Sequence, residues 1–128
     1  MNVIYTGVFL DSPIIGELNN VIKYQHVTHQ FRPDASEINP SFFGKKVLIS
    51  ITGYANNGTN EGYLVYLSCG DENLLAELKK IKTPHITASV SDSGKPVDTA
   101  KLDFRPFHGE IIGTYGAFCS DGRVHFSL

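Results

Sequence analysis

His26-Val27-Thr28 and His85-Ile86-Thr87 repeat one pattern, a His, a β-branched apolar residue and a Thr, within 128 residues. A strand sends alternate side chains to opposite faces, so each His shares a face with its Thr while Val27 or Ile86 takes the other. Two imidazoles suit phosphodiester chemistry. One, neutral, takes a proton from an attacking water or hydroxyl; the other, protonated, gives a proton to the leaving oxygen. Thr28 and Thr87 can donate to the non-bridging phosphate oxygens, where negative charge builds in the transition state. This chemistry requires no cofactor, and neither motif lies in a metal-ligand set. Which His is the base and which the acid is left open.

An internal echo places the two motifs. "IGELNNVIKYQHVTHQF" aligns with "LLAELKKIKTPHITASV", so that Glu17-Leu18 and Glu77-Leu78 stand at similar distances before His26 and His85. A β-rich run precedes each stretch, "VIYTGVFL" at 3–10 and "GYLVYLSC" at 62–69. Another follows each motif, "KKVLISITGY" at 45–54 and "GEIIGTYGAFC" at 109–119. Each half reads as strand, helix, strand, strand, and the turn-rich "YANNGTNEG" at 54–62 joins them as a hairpin. "RVHFSL" at 123–128 adds a strand after the Asp121-Gly122 turn. Asp71 reads as the N-cap of a helix carrying Leu74, Leu75, Leu78 and Ile81 on one face. Asp11-Ser12-Pro13 opens a second helix with a stripe of Ile14, Ile15, Leu18, Val21 and Ile22, which Gly16 and two asparagines weaken. The expected polar faces are His26, Thr28 and Gln30 on the first motif strand, and His85, Thr87, Ser89 and Ser91 on the second. His29 falls among the apolar residues, and His108 and His125 sit in no pattern.

The paired motifs, their separation and the repeated layout resemble the two-histidine (2H) phosphoesterase superfamily. The resemblance covers most of the chain in layout and rests on His26, Thr28, His85 and Thr87. It implies an α+β, bilobal, duplicated fold with two mainly antiparallel sheets lining a central groove and helices packed outside. The chain would then be a single domain, 1–128, with lobe-like repeats at about 1–56 and 61–128. It implies a metal-independent phosphodiesterase that cleaves a cyclic phosphate or phosphodiester of a small nucleotide, such as a cyclic oligonucleotide signal or an RNA 2′,3′-cyclic end. The chain resembles small phage members of the anti-CBASS type or RNA-repair-type members.

Two long irregular stretches adjoin the motifs, 32–46 and 90–109. Loops of this length are often lids or binding loops. Arg32 and Lys95 are therefore candidates to meet a phosphate, and Phe104 or Phe107 to stack on a base. The formal charge of −2 gives no case for a long duplex nucleic acid, which calls for a basic face, but leaves a small anionic ligand open. No apolar run reaches membrane-spanning length. Cys69 and Cys119 form no CxxC pair and read as buried thiols, so the expected address is cytoplasmic, the host's if the gene is viral. Two other function classes fit the composition. One is a non-catalytic module that sequesters a cyclic nucleotide; the other is an interaction protein using an exposed sheet.

Overall fold

A computed structural model describes residues 2–128 as a sheet-rich α+β chain. The strands are β1 (Val3–Leu10), β2 (Asn20–Val21), β3 (His26–Phe31), β4 (Lys46–Asn56), β5 (Asn60–Ser68), β6 (His85–Val90), β7 (Arg105–Cys119) and β8 (Val124–His125). All pairings are antiparallel, in the order β2-β6-β5-β4-β7-β1-β3, with β8 beside β7. The two sheets expected from the sequence are therefore one sheet. They are joined by the direct β4–β7 pairing, which runs from Lys46↔Thr114 to Tyr54↔Arg105.

Alternation builds the core. Val8, Val27, Val47, Ile49, Ile51, Val65, Leu67, Ile86 and Tyr115 are buried in one cluster, closed by Phe42 and by Leu74 and Leu78 of α1 (Glu72–Leu78). Asp71 caps that helix as its sequence implies, accepting from the Leu74 amide at 2.9 Å. The β4–β5 hairpin also forms where the turn residues place it. Gly58 takes φ +86°, and Asn57 Oδ1 accepts from the Thr59 and Asn60 amides.

The expected first helix does not form. Residues 11–19 run as an irregular strap, and Ile15 is 87% exposed. Its amides find side chains in place of carbonyls four residues back. Ile14 N–H donates to Gln25 Oε1, Glu17 N–H to Glu61 Oε1 and Leu18 N–H to Ser89 Oγ. Buried acceptors on β5 and β6 outcompete a helix that Gly16, Asn19 and Asn20 already disfavour. The C-terminal strand is likewise only Val124–His125.

The two motif strands are built alike. Thr28 stands opposite Gly7, and Thr87 opposite Gly62. In each, the residue after the Thr is unpaired. His29 is extra between Thr28↔Gly7 and Gln30↔Thr6; Ala88 is extra between Thr87↔Gly62 and Ser89↔Glu61. These bulges correct the expected faces, because one extra residue inverts the alternation beyond it. Gln30 instead accepts from Thr6 Oγ1, and Ser89, fully buried, donates to Glu61 Oε1 at 2.7 Å.

The glycines opposite the threonines are sterically required. A Cβ on Gly7 would lie 2.3 Å from the Val27 carbonyl oxygen, and one on Gly62 would lie 2.4 Å from that of Ile86. Gly7→Ala and Gly62→Ala should each destabilise the fold by about 1–3 kcal/mol, the usual cost of overpacking. Gly70→Ala, which meets nothing within 4 Å, is the control. Urea midpoints check this: equal midpoints for all three variants would contradict the close strand approach.

Candidate functional site

β3 ends the main strand path and β6 lies next to its other end, yet the two approach one another. β2, just upstream of β3, pairs with β6 through Asn20↔Val90 and Val21↔Ser89, and Ile22 N–H donates to the Ala88 carbonyl at 3.0 Å. Gln25 then locks the approach. Only 4% exposed, its Nε2 donates to the Ile14 carbonyl at 2.8 Å and the Ala88 carbonyl at 3.2 Å, while its Oε1 accepts from Ile14 N–H at 2.7 Å. The residue before His26 is thereby tied to the bulge of the strand that carries His85.

Both histidines are held in the same way. His26 Nδ1 donates to the Tyr24 carbonyl at 2.7 Å, and His85 Nδ1 donates to the Thr83 carbonyl at 2.8 Å. A carbonyl can only accept, so each neutral ring carries its hydrogen on Nδ1 and its lone pair on Nε2. His26 packs against Tyr5, whose ring stacks on it at 4.5 Å, and against Phe9, at 5.3 Å. Burial pulls its pKa below 6.5. The Tyr24 hydrogen bond opposes this shift and the nearby charge of His85 adds to it. The Tyr5 hydroxyl is pushed up to about 12, first by burial and then by Tyr24.

The threonine hydroxyls are already engaged. Thr28 Oγ1 lies 3.1 Å from His26 Nε2 and donates to it when the ring is neutral. Thr87 Oγ1 donates to Thr99 Oγ1 at 2.8 Å, with the Pro96 carbonyl at 3.2 Å. Thr99 is fully buried and also receives Asn60 Nδ2. The 90–109 stretch is thus pinned against β6 by its 3-10 turn, Pro96–Lys101.

The remaining candidates are dispersed. Lys95 is exposed at the start of that turn, and its carbonyl accepts from Asn60. Phe104 packs over Gly53 of β4. Phe107 joins Tyr54 and Tyr63 in an aromatic cluster. Arg32, at φ +48°, lies over Phe31 beyond the far end of β3, about 20 Å along the strand from His26 at ~3.3 Å per residue, and does not join it. His29 points to Tyr115 Oη at 2.6 Å and Glu77 at 3.6 Å, on the core side. Both cysteines are free thiols. Among the described residues no group of three His, Cys, Asp or Glu could hold a metal ion, and no helix is long and apolar enough to cross a membrane.

Sequence reasoning missed Gln25 and a cavity beside His26 lined by Phe9, Lys23, Tyr24, Arg123 and Phe126. The run "KYQH" carried a weak signal, a polar side chain immediately before a motif His. No protein-family model, curated protein or solved structure matches the chain.

Two outcomes follow from this geometry. His26 should titrate below 6.5 in an NMR ring-resonance titration. The unfolded chain then binds its proton more readily than the folded one. Stability is therefore full above about pH 6.5 and falls as pH drops through that value towards the folded-state pKa. His29, also lowered by burial, contributes in the same direction. Urea midpoints measured from pH 8 to 5 should fall less in His26→Gln than in the native chain. Separately, Gln25→Leu strands the Ile14 amide and should cost on the order of 1–3 kcal/mol in urea denaturation. A midpoint unchanged from the native chain would mean that this side chain does not hold the strands together.

Proposed function

We propose that the chain is a metal-independent phosphodiesterase of the two-histidine type, acting on a cyclic phosphate or phosphodiester of a small nucleotide. A cyclic oligonucleotide or an RNA 2′,3′-cyclic end fits that class. One observation carries the proposal: both motif histidines are fixed by Nδ1–H to the carbonyl two residues back, on strands with the same Gly–Thr register and the same bulge. The strand order supports a duplicated, bilobal reading of the fold. β3-β1-β7 and β6-β5-β4 correspond strand for strand, with β4 and β7 exchanged between the halves.

In this mechanism His26 is the base, because its lowered pKa keeps it neutral near pH 7. Its Nε2 takes the proton of a water or hydroxyl as that oxygen bonds to phosphorus. The P–O bond to the leaving group breaks, and protonated His85 gives its Nε2 proton to the departing oxygen. Thr28 turns from His26 Nε2, and Thr87 from Thr99, to donate to the non-bridging oxygens. That prior engagement of both hydroxyls is the one observation favouring a nucleotide-sequestering module instead.

A panel of cyclic nucleotides and 2′,3′-cyclic oligonucleotides assayed in EDTA separates the two. The enzyme should turn over at least one of them. His26→Ala and His85→Ala should each lose about 10²–10⁴ in kcat, the usual worth of one acid or base. The native pH profile should be bell-shaped, and the acid limb should flatten in His26→Ala. Tight binding without turnover would establish the sequestering module, and activity restored only by a divalent ion would overturn the mechanism.

A further inference from the structure

Beside His26, between the end of β1, the Lys23–Gln25 segment and β8, lies a cavity of about 500 Å³. Three aromatic rings and two cations line it: Phe9, Tyr24, Phe126, Lys23 and Arg123. Phe126 is 45% exposed and meets Phe9 edge-on at 6.2 Å, so its outer face is open to a ligand. Lys23 Nζ sits 5.2 Å from the centre of the Tyr24 ring. No carboxylate lines the cavity, and among the described residues neither Lys23 nor Arg123 is in an ion pair. Three acids close in sequence to the lining residues are committed elsewhere, Glu17 accepting from Asn56 Nδ2 at 3.5 Å. Asp11 is bound by Lys46 and Thr114, and Asp121 by His125.

Uncompensated cations among aromatic faces fit a π-system that carries negative charge. Aromatic rings stack on any nucleobase, and a guanidinium grips phosphate through two parallel hydrogen bonds. The cavity is also continuous with the motif. Phe9 pairs with His26 across the β1–β3 ladder, and Tyr24 supplies the carbonyl that fixes the His26 ring. A ligand seated there touches the residues that orient His26.

We infer that this cavity binds a nucleoside together with a second, non-reacting phosphate, so that the preferred substrate carries at least two phosphates. The inference rests on the phosphodiesterase reading for the position of the reacting phosphate at the two histidines. It selects an oligonucleotide end or a cyclic oligonucleotide over a cyclic mononucleotide.

The probe is a 3′–5′ dinucleotide ending in a 2′,3′-cyclic phosphate, compared with the 2′,3′-cyclic mononucleotide of the same terminal base. The native protein should cleave the dinucleotide with a kcat/KM at least about tenfold higher. The exposed pair Lys23→Ala/Arg123→Ala should collapse that preference towards unity, chiefly through KM, and Phe126→Ala should do so in part. Calorimetry with an uncleavable linear dinucleotide bearing a 3′-phosphate gives a readout independent of catalysis. Its affinity should fall about tenfold in the double variant, with a shallower salt dependence. Equal affinity in the native and double-variant proteins would overturn the cavity assignment, even if the mononucleotide is hydrolysed. Loss of dinucleotide affinity in the variant, with no ester cleaved by the native protein, would uphold the cavity and sink the catalytic reading instead. A native protein that neither binds nor cleaves the dinucleotide overturns both.

Discussion

The amide of Gln25 is the constraint on which the arrangement depends. A primary amide offers two donors and an acceptor, and Gln25 uses them on both sides of the seam between the motif strands. Ile14 is gripped through its N–H and its carbonyl, and Ala88 through its carbonyl. The Ile14 N–H and carbonyl would otherwise lack a protein partner, whereas the Ala88 carbonyl also accepts from Ile22 N–H; an unmet buried polar group costs more than a single hydrogen bond gains. The strap therefore cannot lift without exposing Gln25, and β3 cannot slide along β6 without breaking the Ala88 contact. A helix over residues 11–22 would have satisfied its own amides and left this tie unmade. The sequence that weakens the helix is the sequence that permits the seam.

Around that tie the bulges do a second job. Alternation alone would put Ser89 and Gln30 on the same faces as the motif residues. One extra residue after each Thr ends the polar face at Thr28 and Thr87 and returns the next side chain to the interior. There Ser89 meets Glu61, which is 1% exposed and collects donors from Ser89, Tyr54 and the Glu17 amide. Burial pushes the Tyr54 hydroxyl up, and its bond to Glu61 adds to the effect, so it stays a donor. The same inversion that confines the motif thus also supplies the acceptors that hold the strap.

Local patterns were legible in the sequence and long-range geometry was not. The runs at β1, β4, β5 and β7, the Asp71 cap and the hairpin near Gly58 each depend on neighbours within a few residues, and each formed close to where those neighbours place it, although β7 begins at Arg105, inside the stretch to 109 expected to be irregular. Residues 11–22 failed as a helix because their outcome was decided by Gln25, Glu61 and Ser89, distant in the chain. The bulges were invisible because an extra residue exists only relative to a partner strand. The joining of the expected two sheets into one was hidden for the same reason, since nothing local to β4 or β7 specifies their pairing. The His-x-Thr pairs could be found by eye, but the cavity beside His26 could not. Lys23 and Arg123 share no motif, and only folding brings the C-terminal segment to the end of β1.

The resting hydrogen bonds also bear on how a phosphate would have to enter. With Nδ1–H given to Tyr24, neutral His26 has one lone pair, and Thr28 occupies it. A base whose lone pair is already hydrogen-bonded is weaker than a free one, so the Thr28 hydroxyl must leave before His26 can accept a proton. In the proposed mechanism an arriving phosphate would supply the reason to leave. A non-bridging phosphate oxygen accepts a stronger, charge-assisted hydrogen bond than an imidazole nitrogen does. In the proposed mechanism, the swing that lets Thr28 bind phosphate would therefore be the same motion that frees the base. Thr87 has no such coupling, because its partner is the buried Thr99 rather than His85. Under the proposed mechanism the two motifs, alike in sequence and register, would be unequal in action: the first would be switched on by its ligand, whereas the second would need only a change of hydrogen-bond partner at Thr99.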